Sequence, residues 1–167
     1  MKVYLYKRKG INIPVMHNEK EFLALQGFVS SVELNTIVVL GSWYAGLESM
    51  FDVCTRANIY GFDLEQACRR SIKNMLSSRV ALIEQNVLLN YSSLIDSILK
   101  NKEGVSFLYC DGGNKIKEIE LYAPLLKSGD YLGTHDWGVN KDKMFEGKLD
   151  HLDLIVNAGA TRVWRVK

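Results

Sequence analysis

Short unbroken apolar runs alternate with amphipathic stretches along most of this chain. The runs are Thr36–Leu40 (TIVVL), Ile59–Asp63 (IYGFD), Val80–Ile83 (VALI), Val105–Cys110 (VSFLYC) and Tyr131–Thr134 (YLGT). Continuous apolar strands, rather than alternating ones, predict a sheet buried on both faces. Between them Leu47–Arg56, Glu65–Leu76, Tyr91–Leu99 and Lys115–Leu126 carry helical spacing. Strands that alternate with helices give βαβ units. The predicted fold class is therefore α/β, a doubly wound, mostly parallel sheet with helices on both faces.

Residues 1–36 read as a preface to that pattern. Val3–Tyr6 and Ile11–Val15 predict two short strands around a Lys-Arg-Lys-Gly turn. Asn18, with Glu21 three residues later, predicts a capped helix running to about Ser30. Its apolar face is Phe22, Leu25, Phe28, Val29 and Val32. This hairpin and helix are expected to serve the substrate or an oligomer contact, and residues 37–167 to form the Rossmann-like domain of one compact unit. In the tail, Lys141–Val156 reads as partly helical and Thr161–Val166 as a final edge strand.

Composition narrows the function classes. With 167 residues the chain is long enough for one buried core. Lys plus Arg is 21 against 19 for Asp plus Glu, so a net charge of +2 gives no bulk electrostatic case for nucleic acid. No apolar stretch is long enough to predict a membrane span. Three cysteines, Cys54, Cys68 and Cys110, make no disulfide framework or zinc motif, and a reducing cytoplasmic setting is expected.

The chemistry sits where the strands end. In an open α/β sheet ligands bind beyond the carboxyl ends of the strands. Here the ends carry Gly41, Asp63, Asp111 and the pair His135-Asp136. The loop after the first run is Gly41-Ser42-Trp43-Tyr44-Ala45-Gly46. Leu47 and Glu48 follow where a phosphate-binding P-loop needs Lys and Ser or Thr. Trp43 stands where a dinucleotide fingerprint needs its second glycine. Asp63, one βαβ step further on, suits ribose hydroxyls. A nucleoside without phosphates is the ligand type that fits.

Three segments resemble the class I S-adenosylmethionine-dependent methyltransferases, in the branch of cephalosporin hydroxylase-like proteins and macrolide O-methyltransferases. They are Val38–Gly46, Tyr60–Asp63, and Leu108–Asn114 continuing through Tyr122-Ala123-Pro124-Leu125-Leu126-Lys127-Ser128-Gly129 to His135-Asp136. The resemblance implies that Gly41, Ser42, Trp43, Tyr44, Gly46 and Asp63 hold S-adenosylmethionine. It places Gln85 and Asn86 near the adenine and Asp111 at both the cofactor and the reacting centre. It further implies a divalent cation, Mg2+, on Asp111 and Asp136, with His135 as a ligand or as a general base. Asp111, His135 and Asp136 are thus the expected catalytic residues. Trp43, Tyr44 and Trp137 are expected to wall the ligand.

The sequence departs from that family in two places. Val39 stands where an acidic residue usually meets the ligand's amino group, and Asn114 or Lys115 where a histidine follows Asp111-Gly112. The expected activity is O-methylation of a small hydroxylated molecule by a possible homo-oligomer. The alternative is a binding or scaffold protein that kept the fold without transfer. The stretch Asp111-Gly112-Gly113-Asn114 lacks the prolines of base methylases, which disfavours that chemistry.

Overall fold

The computed structural model describes residues 3–65, 67–88, 92–138 and 149–167. Strands β1 (Tyr4–Arg8) and β2 (Ile11–Val15) form an antiparallel hairpin. Helix α1 (Glu19–Ser31) follows, opened by a capping box in which Asn18 and Glu21 each accept the other's backbone N–H at 3.0 Å. The main sheet then alternates strand and helix: β3 (Thr36–Leu40), α2 (Gly46–Cys54), β4 (Asn58–Asp63), α3 (Arg70–Lys73), β5 (Val80–Glu84), α4 (Ser93–Asn101), β6 (Ser106–Cys110), α5 (Lys115–Tyr122), β7 (Tyr131–Thr134), β8 (Leu152–Ala158) and β9 (Thr161–Val166). A short 3-10 turn, Ala123–Leu125, ends α5.

The sheet order is β5-β4-β3-β6-β7-β9-β8, with β3 to β7 parallel and β9 antiparallel to both its neighbours. Alternate residues of each central strand feed opposite faces. Ile37, Val39, Phe107 and Tyr109 pack with α1 and α2. Val38, Leu40, Leu108 and Cys110 pack with α4 and α5. Chain order reverses between β3 and β6, and that reversal opens a crevice at their carboxyl ends.

Three local expectations change. The helix predicted over 65–76 is a single turn at α3, because Ile72 is its one fully buried apolar side chain and so short a segment cannot sustain a longer helix. The 152–156 part of the tail is a strand, β8, with a bulge between Leu154 and Val156; residues 141–148 lie outside the described residues. Thr161–Val166 is a strand as expected, but it inserts between β7 and β8 rather than forming the edge. No helix among the described residues is long and apolar enough to cross a membrane.

Candidate active site

The carboxyl ends of β3, β4, β6 and β7 converge on a cleft of about 300 Å3. One wall is Gly41, Ser42, Trp43 and Gly46 of the glycine loop with Asp63; another is Asp111, Gly112 and Gly113 with Lys115, His135 and Asp136. Pro14–His17, running out of the hairpin, supply the remaining side. A larger cleft of about 850 Å3 lies at the opposite, amino-terminal end of the strands, away from these groups.

The glycine loop is pinned at both ends. Gly41 has φ +95°, and a Cβ there would lie 2.5 Å from the Asp111 carbonyl oxygen, so the β3 and β6 loops touch backbone to backbone. The Gly41 and Ser42 amides donate to the Phe62 carbonyl at 2.8 and 3.1 Å. Asp63 accepts from the Trp43 amide at 2.6 Å and from the Leu64 amide at 2.7 Å. Each carboxylate oxygen keeps a lone pair for a hydroxyl donor. Trp43 and Ala45 are held left-handed at φ 43° and 60°, a strained conformation for side chains of L-residues.

The polar centre is denser than the sequence suggests. His135 stands among three carboxylates, its Nε2 3.3 Å from Glu21 and its Nδ1 3.3 Å from Asp111 and 3.5 Å from Asp136. His17 stacks on it with ring centroids 4.0 Å apart. The His17 Nε2 meets the Tyr109 hydroxyl at 2.7 Å and lies 3.8 Å from Asp111. Lys115 reaches over both acids, 2.9 Å from Asp136 and 3.8 Å from Asp111. Asp136 itself is left-handed, at φ 54°.

Environment drives the two histidines apart. Burial lowers the His17 pKa to about 4, with Asp111 opposing too weakly. Burial also works against charge on His135, but the hydrogen bond and charge of Asp111, with Asp136 and Glu21, outweigh it and raise its pKa. The result is a neutral imidazole stacked against a basic one. Behind them Glu118 accepts from the Gly112 and Asn114 amides at 3.2 and 3.3 Å and so fixes the turn that presents Asp111.

Gly41, Ser42, Trp43, Gly46, Asp63, Asp111, His135 and Asp136 all border the cleft. Tyr44, Gln85 and Asn86 are not in its walls. Tyr44 packs on Trp43 at 4.2 Å between centroids. Gln85 donates to Ser92 at 3.1 Å, and Asn86 accepts from the Leu88 amide at 3.0 Å. Trp137 turns away from the ligand side. The left-handed Asp136 redirects the chain, the Trp137 amide donates to the Ala160 carbonyl at 2.8 Å, and the indole packs edge-on against Trp164 in the core.

No family model matches the sequence, and no curated protein matches it either. Solved structures match in fold. An apo structure of CmcI aligns with TM-score 0.71 over 97% of this chain and 76% of its own, at 14% identity. A putative caffeoyl-CoA O-methyltransferase from Staphylococcus aureus aligns with TM-score 0.62 over 93% of this chain and 86% of its own, at 12% identity. The N-methyltransferase NodS from Bradyrhizobium japonicum WM9, in complex with S-adenosyl-L-homocysteine, aligns with TM-score 0.59 over 89% of this chain and 86% of its own, at 10% identity. The chain therefore has the Rossmann-like fold of the class I S-adenosylmethionine-dependent methyltransferases.

Proposed function

We propose that this protein is an S-adenosylmethionine-dependent methyltransferase that methylates a hydroxyl group of a small molecule. The observation that carries this reading is His135, a basic imidazole bordering the cleft opposite the glycine loop and held on both sides by Asp111 and Glu21. The residues present fit the cofactor: Gly41–Gly46 offer a backbone wall, and Asp63 beside them keeps acceptors for ribose hydroxyls. A solved structure of the same fold that carries S-adenosyl-L-homocysteine supports the choice of cofactor.

When bound, S-adenosylmethionine supplies an electrophilic methyl group, whose transfer to oxygen releases the thioether and leaves one hydroxyl proton to be removed. His135 is the base for that proton, which it takes on Nδ1, the nitrogen beside Asp111 and Asp136 in the cleft wall, while Nε2 stays with Glu21. The carboxylates of Asp111, Asp136 and Glu21 stabilise the imidazolium that forms, and they fix the ring's orientation. His17, kept neutral by burial, closes the far face of that ring without adding charge. The segment Pro14–His17 forms the acceptor side, which gives residues 1–36 their role.

Magnesium does not fit Asp111 and Asp136 as they stand. The Lys115 ammonium occupies the cation's place between them, and imidazole nitrogens crowd what should be an oxygen shell. A second reading has a specific observation behind it: donor atoms of His17, Asp111 and His135 lie within 4.8 Å of one another. Two imidazoles with one carboxylate suit a transition ion such as Zn2+ or Mn2+. Pairing between copies along β8, the outer strand of the sheet, which exposes Leu154 and Ile155, belongs to the same proposal.

Calorimetric titration of S-adenosylmethionine and S-adenosylhomocysteine, before and after chelation, tests the reading. Micromolar binding that survives chelation supports a metal-free transferase, and binding lost with the metal supports the second reading. Absence of binding in both states overturns the cofactor assignment and leaves a scaffold that kept the fold.

A further inference from the structure

Glu48 lies in the first turn of α2 with no exposed surface, and among the described residues its carboxylate has no partner from another residue but the Ser42 hydroxyl. That hydroxyl is itself buried, and no other group among the described residues bonds to it. Both crowd one bare backbone position. A Cβ on Gly61 would lie 2.3 Å from Ser42 Oγ and 2.5 Å from Glu48 Oε1. Gly61 pairs in register with Val39, whose side chain is fully buried among apolar neighbours. The strand thus brings no acid to this place, and the helix brings one instead.

Three buried oxygens that share a single hydroxyl hydrogen among them are costly. Burial raises the Glu48 pKa to about 7, with the nearby Ser42 hydroxyl opposing that rise. A cation with N–H donors beside the Ser42 hydroxyl would give that oxygen its missing donor and meet the charge it is bonded to. Ser42 borders the cleft, and Glu48, which does not, meets it over Gly61. In the cofactor of the proposed reaction, the group of that description is the ammonium at the amino-acid end; the adenosine end offers no such cation.

We propose that Glu48 is a positioning residue that, acting through the Ser42 hydroxyl, recognises the ammonium of the cofactor's amino-acid end. The hydroxyl donates to the carboxylate and accepts from the ammonium, so the buried negative charge is felt in the cleft. Gly61 makes this possible by leaving the space over β4 open. The inference rests on the cofactor reading above and says which residues discriminate that cofactor from other adenosine thioethers.

The test compares two probes by calorimetry: S-adenosylhomocysteine and 5′-methylthioadenosine, which keeps the nucleoside and sulfur but lacks the amino-acid end. In Glu48→Gln the affinity for S-adenosylhomocysteine falls about 10- to 100-fold, as for the loss of one charged hydrogen bond, while that for methylthioadenosine changes less than about twofold. Ser42→Ala gives the same selective loss and serves if Glu48→Gln folds poorly. A merely structural role would weaken both probes alike. Equal losses for both probes, or no loss for either, overturn the assignment while leaving the cofactor reading intact. A wild-type protein that binds neither probe overturns the cofactor reading, and this inference with it.

Discussion

Replacing Glu48 by glutamine is expected to stabilise the protein at high pH, and the gain should fade on acidification. The carboxyl titrates at about 7 in the folded protein, against an ordinary value of 4.5. The folded state therefore binds this proton more tightly than the unfolded chain does. Stability from this group is fully present below pH 4.5 and is lost as pH rises to about 7. At about 1.4 kcal/mol per pH unit, the gap amounts to about 3 kcal/mol at pH 8. Glutamine has the same shape and no charge to desolvate. His17 acts in the opposite sense: its folded pKa is about 4 against 6.5, so its stability is lost as pH falls through that range. In the wild type the two gradients offset each other between pH 4.5 and 6.5, and Glu48→Gln should expose the histidine's slope. Urea unfolding of both proteins at pH 8 and at pH 4.5 measures this. All other titrating groups are shared, so they cancel in the difference. The difference should shrink by about 3 kcal/mol from pH 8 to pH 4.5. A difference that stays constant with pH refutes the argument, because a buried carboxylate without a cation cannot be indifferent to its own protonation.

Other consequences are equally direct. His135→Gln should lower methyl transfer by about 10²- to 10⁴-fold with little change in S-adenosylhomocysteine affinity. In the wild type, the rate should rise with pH through a histidine pKa above 6.5, since the base must lose its proton first. A flat pH–rate profile would remove His135 from the role. Gly41→Ala should cost about 2 kcal/mol or more, because φ is +95° and the new methyl would strike the Asp111 carbonyl; an unchanged thermal melt would contradict that contact. Asp52→Asn should cost about 3 kcal/mol, since this buried acid pairs with Arg8 at 2.8 Å and Arg79 at 3.0 Å. Burial pushes the Asp52 pKa up, but bonds from Ser77 and Arg8 prevail and lower it. Its stabilisation is therefore present above the ordinary carboxyl range and lost as pH falls below it, and Asp52→Asn should flatten that acid limb in urea unfolding.

The parallel strands are legible because a strand buried on both faces must be apolar along its length, as residues 37–40 are. The Asn18–Glu21 cap was legible because its spacing is local. β8 was ambiguous because its bulge breaks the two-residue alternation that would have marked a half-buried strand. Asp63, Asp111 and His135 were readable because they end strands, and topology brings strand ends together. His17, Tyr109 and Glu21 were not, since 92 residues separate His17 from Tyr109 and 114 separate Glu21 from His135. Their meeting is set by how the hairpin docks on the sheet. Glu21 was visible as a helix cap, but nothing in its spacing showed that the same carboxylate also accepts from the Ala160 amide at 2.7 Å and faces His135. Glu48 signals itself as the one charged residue in the stretch 46–51, beside a loop whose strand carries Val39.

The contact between Gly41 and the Asp111 backbone has a consequence for how such a pocket can be remodelled. Two loops that touch without an intervening side chain behave as one fixed jaw, and neither can be widened without breaking the other. The opposite jaw, residues 14–17, belongs to a two-stranded unit that shares no ladder hydrogen bonds with the main sheet among the described residues. On the proposed reading, new acceptor preferences should therefore arise by exchanging side chains at Pro14 and Met16, with the proposed transfer chemistry left standing on the other side.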